Sequence, residues 1–161
     1  MKYQIRAFSD SDINDIVELS LLAWKPIFQS FSQILGTNIY RSLYPDWERS
    51  QKGSVESMCR DRKKYRTIVA QYNEKVVGFL VYELIDSEKK GEVILLAVHP
   101  DYQNNNIGTD LNMKALEDMM LSGMEMAVVE TGNDETHAPA RKAYEKVGYV
   151  GLPIVRYFKK L

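Results

Sequence analysis

Tyr3, Ile5 and Ala7 alternate with Gln4 and Arg6, the period-two pattern of a short strand. Ser9 to Asp12 then offers capping side chains, and Ile13, Ile16, Val17, Ser20, Leu21 and Trp24 share one face of the helix that should follow. Pro26 is expected to end or kink that helix, and Ile27 to Arg60 reads as helical in pieces, broken at Gly36 and Pro45. From Thr67 the pattern changes to strands: Thr67 to Gln71, a turn at Asn73 and Glu74, then Val76 to Ile85. A polar turn from Ser87 to Gly91 leads into a strand from Glu92 to Val98. A helix is expected from about Gly108 to Leu121, with Leu111, Ala115, Leu116 and Met119 at helical spacing and Gly123 as its stop. Met124 to Thr131 reads as a strand, His137 to Val147 as a helix closed by Gly148, and Tyr149 to Phe158 as a final strand or strand pair. The order β-αα-βββ-α-β-α-β, without repeat or linker, describes one domain over residues 1–161.

One junction has chemical content. The apolar run Val93 to Val98 suits a strand buried on both faces, and Pro100, which has no N–H, stops its ladder. The loop Asp101 to Gly108 then opens a helix, so free backbone N–H groups and the helix dipole converge on one point that suits a diphosphate. Gly108 permits close approach of a ligand to the backbone, and Asn106 is of the non-glycine type most tolerant of a left-handed conformation. Spacing alone leaves this loop open between a capped polar connection and a phosphate site.

Composition narrows the classes. The chain has 161 residues, 45% hydrophobic and 27% charged, as expected of an ordinary globular domain. Its 21 Lys and Arg nearly balance 22 Asp and Glu, and a net charge of -1 provides no global field for nucleic acid. Cys59, the one cysteine, excludes an intramolecular disulfide and a multi-cysteine metal cluster, and is expected to be buried on a helix. No metal site is expected: His99 lies in a loop with no cluster of ligands beside it. Without a membrane-length apolar run or a signal-peptide core, the expected location is cytoplasmic and no membrane partner is expected.

The loop and strand resemble the acyl-CoA-binding motif of the GCN5-related N-acetyltransferases, Arg/Gln-x-x-Gly-x-Gly/Ala after a strand ending in Val-x-Pro. Val98, Pro100, Gln103 and Gly108 match, Asn106 stands at the first glycine, and Thr109 follows the second. Downstream, His137, Ala140, Tyr144, Gly148 and Tyr149 are similar in register to the family's Asn-x-x-Ala-x-x-x-Tyr-x-x-x-Gly-Phe segment. Phe79 resembles the family's third strand, and the likeness covers about residues 67–158. It implies an α/β fold of mixed α+β type, with a central, mostly antiparallel mixed sheet splayed between the fourth and fifth strands and flanked by helices. It also implies acetyl-coenzyme A as co-substrate. Leu96, Ala97 and Val98 would offer a strand edge to the pantetheine, Gln103, Asn104, Asn105, Asn106, Ile107, Gly108 and Thr109 would hold the pyrophosphate, and His137, Ala140 and Tyr144 would complete the cofactor site.

Aminolysis of a thioester needs a neutral amine and a stabilised leaving thiolate. Tyr144 stands at the family's tyrosine position, and a phenol protonated at neutral pH can donate to the sulfur. Glu92 opens the central strand where histone-acetylating members carry their catalytic glutamate; burial would raise its pKa toward neutrality, while Lys89 and Lys90 make a solvated carboxylate the competing reading. Glu130 and a water chain are further candidates for the base. His137 is read chiefly as a helix cap with a contact to pantetheine, and Arg141 and Lys142 either reach phosphates or are solvated. Trp24, Phe28, Phe31, Tyr40, Tyr44 and Trp47 are read mostly as core; any that line the acceptor cleft favour an amine on a partly apolar body.

The function implied is N-acetylation of a primary amine on a small molecule, by direct attack in a ternary complex. Acetylation of a protein N-terminus or lysine, and a non-catalytic acyl-CoA-binding module, are the alternatives. C-terminal edge strands make a homodimer an option.

Overall fold

Four strands pair antiparallel in chain order, because each is joined to the next by a connection that lets the chain turn back on itself. In the computed structural model, which describes residues 1–161, these are β1 (Gln4–Ala7), β2 (Tyr65–Tyr72), β3 (Lys75–Ile85) and β4 (Lys90–Val98). Asn73 and Glu74, at φ 47° and 65°, make the tight turn between β2 and β3, whose left-handed backbone matches the twist of the flanking strands. β5 (Met126–Val129) returns by a helical crossover and so lies parallel to β4. The helices are α1 (Ile13–Leu43), α2 (Trp47–Arg60), α3 (Ile107–Leu121) and α4 (Ala138–Lys146). The mixed sheet flanked by helices is therefore as expected.

Each face of the sheet has its own core. Phe79 and Val81 of β3 meet Ile13, Ile16 and Leu19 of α1 and Val55 and Cys59 of α2. Leu80 and Tyr82 turn the other way, onto Ile107, Leu111, Ala115 and Met119 of α3. Burial pushes the Cys59 thiol up to about 11, so it serves as core. Gly78 fixes the height of α3: a Cβ there would stand 2.8 Å from Ile107 Cγ2 and 3.3 Å from the Ala97 carbonyl oxygen.

The decisive irregularity is in β4. Tyr82 pairs with Val93 and Val81 with Leu95, so Ile94 is an extra residue without a partner. A bulge of this kind bends its strand and increases local twist. On the other edge of β4, the ladder to β5 runs only from Lys90 with Met126 to Val93 with Val129. Pairing thus ends at the bulge, and the two strands part beyond it.

Three expectations need correction. Pro26 neither ends nor interrupts α1, which continues through it to a break at Gly36 (φ 71°). Pro26 is exposed and so is Leu22, whose carbonyl loses its partner; water can serve that group. β5 is shorter than Met124 to Thr131, leaving Glu130 exposed and outside the ladder. No strand forms from Tyr149 to Phe158: residues 150–161 belong to no element and are exposed. β-branched and aromatic residues there favour a strand, but strand formation requires a partner, and Pro153 withholds one ladder donor. No helix is long and apolar enough to cross a membrane.

Candidate active site

The parting of β4 and β5 leaves backbone groups without partners. His99 N–H donates to the Val77 carbonyl at 2.9 Å, so residues at odd positions along this end of β4 face β3. By the period of two, Leu96 and Val98 turn their N–H and C=O groups toward the space that β5 has vacated. Ala97 turns its backbone to β3 and its side chain into the core, so it frames the edge without offering groups to it.

The loop after β4 closes over this edge. Gln103 Nε2 donates to the Val98 carbonyl at 3.2 Å, and Asn105 Nδ2 donates to the carbonyls of Tyr102 and Gln103 at 3.1 and 3.0 Å. Gln103 and Asn105, read from sequence as ligand contacts, thus tie the loop to the strand and to itself. His99 Nδ1 accepts from Asp101 N–H at 3.2 Å, which makes it a loop brace. Asn104 and Asn106 are both left-handed at φ 62°. Asn106 is the N-cap of α3, and its side chain makes no capping bond to the helix. The first N–H groups of Ile107, Gly108 and Thr109 therefore remain available, with the positive end of the helix dipole behind them.

The reason for asparagine over glycine at 106 is visible: its Oδ1 accepts from Lys146 Nζ at 2.7 Å. The cation absent from the loop's own sequence arrives from the end of α4, 40 residues on. A groove of about 590 Å³ runs alongside, lined by Lys2, Tyr3, Asn105, Asn106, Thr109, Asp110 and Lys146, with Met1 and Met113. Tyr3 Oη donates to Asp110 at 2.5 Å, and burial together with that carboxylate pushes the phenol up to about 12. A larger depression of about 740 Å³, between α2 and the start of β2, contains none of the motif residues.

Gly108 is where the pieces meet. A Cβ placed there would lie 3.7 Å from Val98 Cγ2, 3.9 Å from Leu96 Cδ2 and 4.0 Å from Ala143 Cβ. Strand edge, loop and α4 therefore share one junction. No protein atom demands glycine at that position, so the missing side chain leaves space at the mouth of the split.

Ala140, the third residue of α4, is partly buried. Tyr144 lies farther along the helix, 8% exposed, with the ring of Tyr149 edge-on at 5.8 Å. Burial, with a smaller contribution from Tyr149, pushes its phenol well above the usual value, so it holds its proton at neutral pH. Glu92 lies elsewhere, on the paired side of the split opposite Val128 and Glu83. It is not buried: its side chain is 32% exposed and Lys90 Nζ is 3.4 Å away, as in the solvated reading.

Sequence reasoning missed Asp134, Ser30 and Lys146, and read Arg141 only as a phosphate contact or a solvated residue. Asp134 links His137 to α1, with the His137 Nδ1 at 2.5 Å and Ser30 Oγ donating at 3.0 Å. Arg141 donates to the carbonyls of Gly132 and Asp134 at 2.7 and 2.8 Å, so it clamps this loop. Trp24 packs against the core, whereas Phe28, Phe31, Tyr44 and Trp47 are half-buried outside it, where they stack or meet edge-on and Phe31 stacks on His137 at 5.9 Å. Such a wall gives no periodic signal distinct from a core face.

Residues 28–149, which contain the split, the loop and α4, match the Acetyltransferase (GNAT) family. The chain belongs to the GNAT acetyltransferase family. N-alpha-acetyltransferase 30 of Homo sapiens is 37% identical over 86 residues, a stretch covering 51% of this GNAT chain and 23% of that protein; the Mus musculus protein matches equally. The chain thus spans less than a quarter of the length of these curated relatives. PaiA N-acetyltransferase from Thermoplasma acidophilum, solved in complex with coenzyme A, has a TM-score of 0.74 at 19% identity, covering 92% of this chain and 89% of that one. AAC(6')-Iy in complex with the bisubstrate analog CoA-S-monomethyl-acetylneamine has a TM-score of 0.68 at 12% identity, covering 100% of this chain and 99% of that one. Both likenesses support the GNAT fold.

Proposed function

We propose that this protein transfers the acetyl group of acetyl-CoA to the primary amine of a small molecule with a partly apolar body, the amine attacking directly while both substrates are bound. The observation that carries the reading is the junction at Gly108, where the unpaired edge of Leu96 and Val98, the open first turn of α3 and the Tyr144 helix come together. The residues fit the donor. Leu96 and the N–H of Val98, whose carbonyl already accepts from Gln103, can pair with pantetheine amides, as an added strand would. The N–H groups of Ile107, Gly108 and Thr109, with Lys146, can meet the pyrophosphate; a charge-assisted contact there is stronger than a neutral one.

The coenzyme supplies an activated thioester. The Tyr144 phenol, kept protonated by burial, can donate to the departing sulfur. Glu92, a third exposed and 3.4 Å from Lys90, can pass a released proton on to solvent through water. The ring wall of Phe28, Phe31, Tyr44 and Trp47 beside His137 supports an acceptor with apolar surface.

A protein N-terminal amine is the second reading, favoured by the 86 residues shared at 37% identity with N-alpha-acetyltransferase 30. Thiol release from acetyl-CoA, measured over a panel of small amines and N-terminal peptides, separates the two. Faster turnover of small apolar amines is the expected result, and preference for peptides supports the second reading. Coenzyme binding without thiol release across the whole panel would identify a binding module and overturn catalysis.

A further inference from the structure

The connection from β5 to α4 contains an arrangement that neither the motif nor the family membership requires. His137 Nδ1 lies 2.5 Å from Asp134 Oδ1, and the two side chains are only 13% and 14% exposed. The other carboxylate oxygen accepts from Ser30 Oγ at 3.0 Å and from Thr136 Oγ1. Asp134 is thus fixed from α1 as well as from its own loop, and Arg141 anchors its backbone carbonyl. Gly132 accommodates the pair: a Cβ there would stand 2.5 Å from His137 Nδ1 and 2.6 Å from Asp134 Oδ1. Phe31 stacks on the imidazole and fixes its plane.

A carboxylate can only accept hydrogen bonds, so Nδ1 must carry the proton and Nε2 must carry the lone pair when the ring is neutral. The surrounding donors outweigh burial and hold the Asp134 carboxyl down at about 2, so it stays ionised. His137 is seven residues before Tyr144, two turns along one helix face, and its ring borders the aromatic wall.

We propose that His137, oriented by Asp134, takes the proton from the acceptor's ammonium, which makes Asp134 a positioning residue. The inference rests on the acetyltransfer reading above. The step is R–NH3⁺ plus neutral imidazole giving R–NH2 plus imidazolium, which then returns its proton to water. The nitrogen lone pair released is the one that attacks. The charged and titratable neighbours are Asp134, Arg141 on α4 and, behind Phe31, Tyr44 just past the end of α1.

The chain has two histidines, so comparison with His137→Gln assigns the ring signals in a long-range ¹H–¹⁵N spectrum of the free protein. An Nδ1–H tautomer with bare Nε2 is expected; an Nε2–H tautomer overturns the dyad whether or not a substrate is known. His137→Gln should lower kcat about 100-fold, with coenzyme Kd within twofold, and abolish the acid limb of the pH–rate profile. Asp134→Asn should lower kcat about tenfold and change the tautomer. Loss of coenzyme affinity in step with kcat, with the acid limb intact, would show that His137 only holds pantetheine. A wild-type protein that acetylates no amine defeats the acetyltransfer reading itself, and with it the proton step.

Discussion

At the scale of the residue, the acid and the phosphate anchor can be separated because they act on different parts of the donor. Tyr144→Phe removes only a hydroxyl, so kcat should fall about 100-fold with coenzyme Kd nearly unchanged in a titration. A Kd that rises with the loss of rate would make Tyr144 a binding residue. Lys146→Ala should raise the coenzyme Kd about tenfold at low salt, and the difference from wild type should shrink as salt screens the contact. Equal affinity of the two proteins in low salt would remove Lys146 from the pyrophosphate site. Asn106 was legible as a left-handed position, since asparagine tolerates that backbone. Its hold on Lys146 was not, because a lysine near a helix end gives the same local signal whether it is solvated or engaged. The bond between Ser30 and Asp134 joins residues 104 apart in sequence and leaves no local trace at all.

Among the elements, the helices and the first four strands were legible because hydrophobic period and turn residues are local properties. The split was not legible from period: the run from Val93 to Val98 is apolar throughout, so an extra residue at Ile94 breaks no alternation, and only the family resemblance pointed to it. The missing final strand has the opposite origin, since strand propensity is present and a partner is not. Pro26 shows how exposure overrides a breaker. Because α1 already continues past it, Pro26→Ala should restore the hydrogen bond to Leu22 and raise stability by about 1 kcal/mol or more. The check is thermal unfolding, where a Tm rise of about 2–4 °C per kcal/mol is expected for a chain of this size. A lower Tm would mean that the proline is needed for the path of the helix.

For the whole molecule, three carboxylates make folding sensitive to acid. Asp12 is lowered chiefly by Arg6, which donates to it through two nitrogens at 2.8 Å, against the effect of burial. Asp118 is lowered by Tyr82 and Arg66, and Asp134 to about 2 by Thr136, His137 and Ser30, each despite an opposing effect of burial. A carboxyl held lower in the folded than in the unfolded chain contributes fully above the unfolded value of about 4. That contribution is lost as pH falls through the folded value. Urea midpoints should therefore drop from about pH 4 downward, and Asp12→Asn should narrow the gap between pH 7 and pH 3. Midpoints that stay level to pH 2 would contradict the ion pairing.

α4 also sets a length standard. Its axis rises about 1.5 Å per residue, so the imidazole of residue 137, the phenol of 144 and the ammonium of 146 originate at about 0, 10 and 13 Å along one rigid rod. Side-chain replacement leaves those marks in place. A single residue inserted between Ala138 and Ala143 would turn everything beyond it by about 100°. The phenol and the ammonium would then leave the junction together, however well the helix itself formed. Indels should consequently be tolerated beyond Tyr149 and excluded from the nine residues from Ala138 to Lys146.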